Sequence, residues 1–155
     1  ALGGWRKPWQ KFVAMTVENS EEVNAVLLAT SGNVDGLKAW VCSGGDVNFQ
    51  DCNGYSPLMA AASYEKVPVL EYLLSCPGIN VNLVDSEGDS AVHYATNGAC
   101  IRLLVEAGGD VSLKNSDDQT ALEKMKEEVE DEDLEDGQEK DKLTQAIEFL
   151  QTCAK

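Results

Sequence analysis

The residue best suited to acid–base chemistry is His93, the single histidine of the 155-residue chain. General acid–base and nucleophilic mechanisms place such an imidazole beside a nucleophile that it can deprotonate. The sequence contains no Gly-x-Ser-x-Gly nucleophile motif, no phosphate-binding glycine loop and no His-Glu-x-x-His metal motif. The residue types therefore predict a protein that is not an enzyme and that holds no cofactor.

The candidate metal ligands and redox groups are five cysteines, Cys42, Cys52, Cys76, Cys100 and Cys153. No two of them form the closely spaced pair that structural zinc sites commonly use. Their odd number also does not fit the paired disulfides of a small secreted scaffold. We expect reduced and mostly buried thiols in a cytoplasmic or nuclear protein.

An acidic run occupies residues 127–136, where eight of the ten residues are Asp or Glu. From Asp131 onward it superficially resembles a calcium loop, but an EF-hand needs Gly at its sixth position and Glu at its twelfth. Those positions hold Asp136 and Lys142, so no specific metal site is predicted. Two interpretations stay open: a solvated loop that improves solubility, or an electrostatic surface for a Lys/Arg-rich partner.

The chain as a whole is acidic, with 27 Asp and Glu against 12 Lys and Arg and a formal net charge of −15. The charge is −6 over residues 1–116 and −9 over residues 117–155. Such a negative field repels nucleic acid and anionic membranes and favours basic proteins. The apolar stretches, such as residues 25–29, are far shorter than the ~20 residues of a membrane span. We expect a basic protein partner, with no nucleic acid and no membrane.

An internal repeat indicates the elements that would position these residues. A polar triplet recurs at spacings of 34 and 30 residues as Asp46-Val47-Asn48, Asn80-Val81-Asn82 and Asp110-Val111-Ser112. Segments that begin at Gly54, Gly88 and Asp118 follow at the same spacings, and an apolar pair precedes each triplet. Elements that match in both order and spacing indicate stacked structural repeats.

Each unit of the repeat is predicted to be two short helices joined by a turn. Ser56, Ser90 and Thr120 are placed to cap the first helix through their hydroxyl groups. In the second helix of the clearest unit, Leu70 and Leu73 belong to an apolar stripe at helical spacing. One helix pair cannot bury such a stripe alone, whereas stacked pairs can.

These features resemble the ankyrin-repeat family, whose pattern has a period near 33 residues and a Thr-Pro-Leu-His core. The clearest copies are Asp-Cys-Asn-Gly-Tyr-Ser-Pro-Leu-Met-Ala-Ala-Ala at residues 51–62 and Asp-Ser-Glu-Gly-Asp-Ser-Ala-Val-His-Tyr-Ala at residues 85–95. The resemblance covers about residues 20–126 and implies an all-α solenoid of about four helix-turn-helix repeats with capping helices at both ends. His93 falls on the histidine of the core, which implies that its imidazole bonds to the backbone and joins neighbouring repeats.

Three departures from the family pattern carry structural expectations. The second repeat gains one residue near Cys76, and the third loses about three residues between Ala95 and Leu104, so its helices must be shorter. Glu65 stands where the family usually has a glycine between helices, which costs some stability if φ is positive there.

The ends of the chain are expected to close the stack. The predicted organisation is an N-terminal amphipathic segment at 1–19, repeats at 20–126, an acidic loop inserted at 127–140 and a C-terminal capping helix at 141–155. Trp9, Phe12 and Val13 would share one face of the first segment, which would cover the open end of the first repeat. The alternative is that this segment is a docking peptide for another protein.

The resemblance implies protein binding through the hairpin tips and the exposed side of the first helices. Together with the acidic run, these positions form the predicted partner-binding set: Phe49, Asp51, Asn53, Tyr55, Tyr64, Ser86, Glu87, Asp89, Tyr94, Gln119, Glu130, Asp131, Glu132, Asp133, Glu135 and Asp136. Aromatic residues among acids suit a binding surface, because aromatic rings offer contact area at low entropic cost. The alternative for Tyr64 and Tyr94 is packing against neighbouring repeats.

We therefore expect a non-enzymatic adaptor or escort chaperone, monomeric by itself, that holds a basic protein segment against the concave face. Acidic ankyrin proteins of this size resemble dedicated escorts of ribosomal proteins and other basic clients. The alternative is a regulatory subunit that docks a structured signalling or cytoskeletal partner, with the acidic loop acting only to improve solubility.

Overall fold

The described part of the protein, in a computed structural model, consists of residues 23–130 and 137–153. It contains eight helices: α1 Val23–Ser31, α2 Val34–Cys42, α3 Pro57–Ser63, α4 Val67–Ser75, α5 Ala91–Tyr94, α6 Gly98–Glu106, α7 Ala121–Glu130 and α8 Gly137–Cys153. The only extended pairing within these residues is an isolated antiparallel bridge between Val84 and Ser90. The predicted all-α class is confirmed. No helix in these two ranges combines the length and the apolar character that crossing a membrane requires.

The helices form two stacked layers. The first helices α1, α3, α5 and α7 contact one another in sequence, and the second helices α2, α4, α6 and α8 do the same behind them. Each first helix also packs against the second helix of its own pair. The result is a solenoid of four helix pairs, in which α8 is the second helix of the fourth pair.

The core lies between the two layers and runs the length of the stack. Leu37, Leu73 and Leu104 on the second helices are completely buried, and Leu150 of α8 is 1% exposed. Met59 and Met125 of the first helices are buried opposite them. Because every apolar stripe is covered by the neighbouring pairs, no single pair has a core of its own.

Helices α3 and α7 begin with the capping hydroxyl groups that the sequence predicts, those of Ser56 and Thr120. The Ser56 hydroxyl accepts a hydrogen bond from the Met59 amide at 3.2 Å, and Pro57 occupies the first turn. The Thr120 hydroxyl accepts from the Glu123 amide at 3.3 Å, while the Glu123 carboxylate accepts from the Thr120 amide at 2.8 Å. These bonds satisfy amide groups that the helix itself leaves without a partner.

The third repeat is short, but the prediction that both of its helices are shorter is wrong for the second one, since α4 and α6 both have nine residues. Helix α5 has only four residues, and α6 begins at Gly98 after a cap by Asn97. Glu65, between α3 and α4, does adopt a positive φ of 56°. Its carboxylate accepts hydrogen bonds from the Thr96 hydroxyl at 3.2 Å and the Lys142 ammonium at 2.9 Å. Glu65 therefore adopts a backbone conformation that is unfavourable for a residue with a side chain, but that side chain bonds the second repeat to the third repeat and to α8.

The predicted organisation of the C-terminal region needs correction. Helix α7 extends through Glu130 and α8 begins at Gly137, so residues 127–130 and 137–140 of the predicted loop are helical. Val129 packs against the core and continues the apolar side of α7, which favours extension of the helix. The remaining loop, residues 131–136, and the predicted N-terminal segment with Trp9, Phe12 and Val13 lie outside the described residues.

We expect Leu73→Ala to lower the free energy of unfolding by about 2–5 kcal/mol, because it leaves a cavity in a fully buried site. The matched control is Leu27→Ala on α1, where the native side chain is 50% exposed, and its cost should stay below about 1 kcal/mol. Chemical denaturation of both variants measures the difference. Equal midpoints for the two variants would contradict the assignment of Leu73 to the core.

Candidate functional site

Three loops with the same hydrogen-bonding plan line one side of the stack. They are tip 1 at residues 51–55, tip 2 at residues 85–89 and tip 3 at residues 115–119. In each, the first side chain accepts bonds from the amides two and four positions later: Asp51 at 2.8 and 2.9 Å, Asp85 at 2.9 and 3.0 Å, and Asn115 at 3.1 and 3.0 Å. Asp51 therefore holds its own loop in shape, which limits what its carboxylate can offer a partner.

The tips are also joined to one another through their backbones. The Ser86 amide donates to the Asn53 carbonyl at 2.9 Å, and the Ser116 amide donates to the Glu87 carbonyl at 2.8 Å. Gly54 lies at this contact with φ 76°, and a Cβ atom there would lie 2.8 Å from the Cα atom of Asp85. Only glycine combines that conformation with that close approach.

A second ladder joins the repeats at the base of the loops. The side-chain amide of Asn48 donates to the Gly78 carbonyl at 2.8 Å, and its oxygen accepts from the backbone amide of Asn80 at 2.7 Å. One repeat later, Asn82 donates to the Gly108 carbonyl at 3.2 Å and accepts from the Asp110 amide at 2.8 Å. The polar triplets that repeat in the sequence supply the side chains of this ladder.

Behind tips 1 and 2, aromatic and charged side chains form a buried network. Tyr55 and Tyr94 meet edge to face with ring centroids 5.1 Å apart, and the Tyr94 hydroxyl donates to the Asp85 carboxylate at 2.5 Å. Lys124 of α7 lies 5.3 Å above the Tyr94 ring and forms an ion pair with Asp89. Burial raises the pKa of both tyrosines, and for Tyr94 the bonded Asp85 carboxylate raises it further.

His93 has the structural role that the resemblance implies. Its Nδ1 atom lies 3.2 Å from the Ser90 amide nitrogen, and its Nε2 atom lies 3.1 Å from the Gln119 carbonyl of the next repeat. Because an amide can only donate, Nδ1 accepts and the proton is on Nε2, which donates to Gln119. Burial lowers the pKa of the imidazole. The Ser90 hydroxyl lies 2.9 Å away, but Ser90 is completely buried and closed to a substrate.

The predicted partner-binding residues divide by exposure. Exposed side chains are Ser86, Glu87 and Glu130, and half-buried ones are Phe49, Asp51, Asn53, Tyr64 and Gln119. The side chains of Tyr55, Asp89 and Tyr94 are buried and engaged in the contacts between repeats, because tips 1 and 2 pack against the first helices there. Asp131, Glu132, Asp133, Glu135 and Asp136 lie outside the described residues.

Among the half-buried members, Phe49 and Gln119 already make contacts within the chain. Phe49 packs edge to face on Trp40, with ring centroids 6.2 Å apart. The Gln119 side-chain amide donates to the Glu127 carboxylate at 2.5 Å, which joins tip 3 to α7. Tyr64 forms the C-terminal cap of α3, and burial raises the pKa of its hydroxyl.

An acidic surface extends from tips 2 and 3 onto α7. We call it the tip–α7 acidic surface, and its exposed carboxylates are Glu87, Asp117, Asp118, Glu123, Glu127 and Glu130. The exposed cations beside them are Lys114, which pairs with Asp118 at 3.1 Å, and Lys126. Residues 85–130 hold eleven acids and four bases, against five acids and two bases in residues 23–84. The negative charge is therefore concentrated at the C-terminal end of the stack.

Sequence reasoning left Asp117, Asp118 and Glu123 out of the candidate site. The signal that could have found them is the repeat itself. Asp117 and Asp118 occupy in tip 3 the positions of Asn53 and Gly54 in tip 1. Asp118 also has a positive φ, at 60°, as do the glycines at the same position of tips 1 and 2.

Glu128 faces the interior of this C-terminal region. The side chain is partly buried on α7, and burial raises its pKa to about 7. The nearby Lys124 opposes the shift, whereas the carboxylates of Glu139, Asp89 and Glu127 increase it. The Lys124 ammonium group thus pairs with Asp89 of tip 2 and also stabilises the ionised form of Glu128 on α7.

The side chains of residues 23–130 and 137–153 show the surroundings of the candidate metal ligands and of the thiols. No three His, Cys, Asp or Glu residues in these ranges are arranged to hold a metal ion. The expectation that most thiols are buried is wrong, since Cys76 and Cys100 are buried while Cys42 and Cys52 are exposed. Burial raises the pKa of Cys100 to about 11, so this thiol is protonated at neutral pH.

Comparison with known proteins matches the repeats. The family model for ankyrin repeats (3 copies) covers residues 25–115. A probable serine/threonine-protein kinase of Dictyostelium discoideum is 35% identical over 86 residues, which is 51% of this chain and 10% of that protein. Zinc finger CCCH domain-containing protein 24 of Oryza sativa subsp. japonica is 40% identical over 68 residues, 39% of this chain and 9% of that protein. The chain thus spans about a tenth of the length of these relatives.

We expect Gly54→Ala to be more destabilising than Gly78→Ala, by about 1–3 kcal/mol. Both glycines have positive φ, 76° and 82°, so both substitutions carry a similar backbone strain. Only at Gly54 does the new Cβ meet the backbone of the next tip, because Gly78 has no atom within 4 Å of that position. Urea denaturation of the two variants measures the difference, and equal losses would contradict the close contact between tips.

A second expectation concerns the pH dependence of stability at Glu128. Its pKa of about 7 in the folded protein lies above the ordinary value of 4.5, so the folded state binds more protons between these values. The contribution of Glu128 to stability is therefore lost as the pH rises through 7. Glu128→Gln removes this titration, so its stability relative to the wild type should be higher at about pH 8 than at about pH 5.

Thermal or urea unfolding of both proteins at the two pH values measures this difference. His93 has a lowered pKa and produces the opposite slope, with stability lost as the pH falls. That residue is common to both proteins, so its effect cancels in the comparison. A pH-independent difference would show that Glu128 is not destabilised in its ionised form.

Proposed function

The chain belongs to the ankyrin-repeat family, and on that premise we propose that it is an adaptor or escort chaperone for a Lys/Arg-rich segment of a protein partner. Ankyrin repeats are protein–protein interaction modules, and the fold is typically non-enzymatic. Protein binding is accordingly the coarse function of the chain. The identity of the partner as a basic protein and the escort role are the parts that we propose.

The observation that carries the proposal is the concentration of charge on the tip–α7 acidic surface. Glu87, Asp117 and Asp118 project from two neighbouring tips, and Glu123 and Glu130 from the helix that follows them. α7 ends at Glu130, directly before residues 131–136, which add five acids in sequence. Tips and first helices are also the elements through which the family binds proteins. A basic segment laid along them would meet carboxylates from tip 2 to the end of α7.

Electrostatics predicts how such a surface would act. Carboxylates on one face attract a basic chain over about the Debye length, which is ~10 Å at 0.1 M salt. The attraction raises the association rate more than it lowers the dissociation rate. An escort gains from this property, because a basic client must be captured before it binds nucleic acid or aggregates.

The role of the individual tip residues follows from their exposure. Ser86, Glu87 and Glu130 are exposed and would contact the partner directly. The acids of residues 131–136 are included on the basis of their sequence alone. Tyr55, Asp89 and Tyr94 would act indirectly, because they set the spacing of the tips. Asn53, Phe49, Tyr64 and Gln119 would contribute edges of half-buried side chains.

Two further features fit the proposed setting. Exposed thiols such as those of Cys42 and Cys52 persist best in a reducing compartment, so we propose the cytoplasm or the nucleus. A net charge of −15 also opposes self-association, so we propose a monomer in the absence of a partner.

A second candidate function is a regulatory subunit that docks a structured partner through apolar contacts. The observation in its favour is Val84, which is 42% exposed and lies two residues before Ser86 of tip 2. In this case residues 131–136 would serve solubility, and binding would depend little on salt.

The test compares two charge-neutralised variants in binding to a synthetic Lys/Arg-rich peptide. The first changes Asp131, Glu132, Asp133 and Glu135 to Asn or Gln. The control changes Asp35, Glu71, Glu106 and Glu148, which are exposed on the four second helices, in the same way. Both variants alter the net charge equally, so they separate local attraction from the charge of the whole protein.

We expect the first variant to associate about tenfold more slowly than the wild type at ~20 mM salt, and the control less than about twofold more slowly. The difference should vanish at ~500 mM salt. Matched thermal melts verify that both variants are folded. Equal association rates for all three proteins would reduce residues 131–136 to a solubilising role and favour the second candidate.

A further inference from the structure

The backbone bonds between the tips form a regular series. In each bonded pair, the third residue of one tip accepts from the amide of the second residue of the next. The Asn53 carbonyl of tip 1 accepts from the Ser86 amide at 2.9 Å, and the Glu87 carbonyl of tip 2 accepts from the Ser116 amide at 2.8 Å. The third residue of tip 3 is Asp117, so its carbonyl is the next acceptor in the series.

The Asp117 carbonyl has no hydrogen-bond donor among residues 23–130 and 137–153. Helix α8 lies in the second layer, where it packs against α6 and against α7 of its own pair, and it does not cover this end of the row. Within the described residues, the row of bonded tips therefore ends at tip 3, on the same side of the stack as the Ser86 and Ser116 bonds.

The fourth position of the tips supports this conclusion independently. Gly54 and Gly88 occupy it in tips 1 and 2, where an added Cβ would lie 2.8 and 3.1 Å from the Cα atoms of Asp85 and Asn115. In tip 3 the position holds Asp118 with φ 60°, a residue that has the same backbone conformation and does carry a Cβ. The close approach that excludes a side chain in the first two tips is therefore relaxed in the third.

The side chains around the open carbonyl identify the chemistry of an occupant. Asp117 and Asp118 flank it, and Glu87 of tip 2 and Glu123 of α7 are exposed on the neighbouring elements. Of the two exposed cations near this surface, Lys114 and Lys126, Lys114 is already paired with Asp118. A partner segment whose backbone bonds to the Asp117 carbonyl comes close to these carboxylates, so its side chains should be positively charged.

We propose that tip 3 extends its hydrogen-bonded row onto the partner, so that an extended Lys/Arg-rich segment donates a backbone amide to the Asp117 carbonyl. The segment then takes the place that a further tip would occupy, and its basic side chains reach Asp117, Asp118 and Glu123. This inference rests on the proposed function. It adds the atom at which the partner bonds, the Asp117 carbonyl oxygen, and the donor, a backbone amide of the partner. A second copy of this chain would bring a further charge of −15 to the same place and does not fit.

The experiment uses the full chain, labelled with carbon-13 and nitrogen-15, and a peptide of alternating Arg and Ala as the probe. Two matched peptides carry backbone N-methyl groups, one on every Arg amide and the other on every Ala amide. Methylation removes the donor and keeps the charge. The carbonyl carbon-13 shift of Asp117 reports the new bond, and the carbonyls of Asn53 and Glu87, which are already bonded, are internal controls.

We expect the unmethylated peptide to move the Asp117 carbonyl shift and to leave those of Asn53 and Glu87 nearly unchanged. At least one N-methylated peptide should abolish that movement and bind about three- to tenfold more weakly, the loss expected for one hydrogen bond. Asp117→Asn and Asp118→Asn should reduce affinity and its salt dependence while the shift on saturation remains.

Three results would overturn the proposal. If the peptide binds but the Asp117 carbonyl shift does not move, the basic segment is held elsewhere and only this inference fails. If no Lys/Arg-rich peptide binds at low salt, the proposed function fails together with it. If the Asp117 shift instead follows the concentration of the protein alone, the occupant is a second copy of this chain.

Discussion

The contact between consecutive hairpin tips is the constraint on which the rest of the structure depends. A single helix pair has no core of its own, so each repeat must be held in register with the next before its apolar stripe is covered. The Asn48 and Asn82 side chains set this register at the base of the loops, and the Ser86 and Ser116 amides set it at their ends. Once the loops are aligned, the two layers of helices are positioned to bury Leu73 and its equivalents.

This constraint also explains why several residues of the predicted binding site face inward. Tyr55 and Tyr94 join tips 1 and 2 to the first helices, and Asp85, Asp89 and Lys124 satisfy the polar groups that this packing buries. Buried polar groups are stable only when they are hydrogen-bonded, and the Tyr94 hydroxyl and the side chains of Asp89 and Lys124 each have a partner within the chain. The partner surface that we propose consequently consists of the side chains that remain exposed, and at the C-terminal end of the stack these are mostly carboxylates.

Much of the fold could be predicted from the sequence, because the repeat carries its own period and its capping residues. Ser56, Thr120 and the apolar stripe around Leu73 identify the helices without reference to distant residues. What could not be predicted depends on contacts far apart in the chain. Glu65 appeared only as a strained substitute for glycine, and its bonds to Thr96 and to Lys142 follow from the short third repeat. The helical state of residues 127–130 likewise depends on Val129, which packs against the core.

We propose that a basic partner lies along the tip–α7 acidic surface and not along the second helices. Carbodiimide labelling of carboxylates, read by mass spectrometry with and without a Lys/Arg-rich peptide, tests this claim most directly. The account predicts protection of Glu87, Asp117, Glu123 and Glu130, with unchanged labelling of the exposed acids on the second helices, such as Glu71. Protection of Glu71 and its equivalents, or uniform protection over the whole chain, would contradict it.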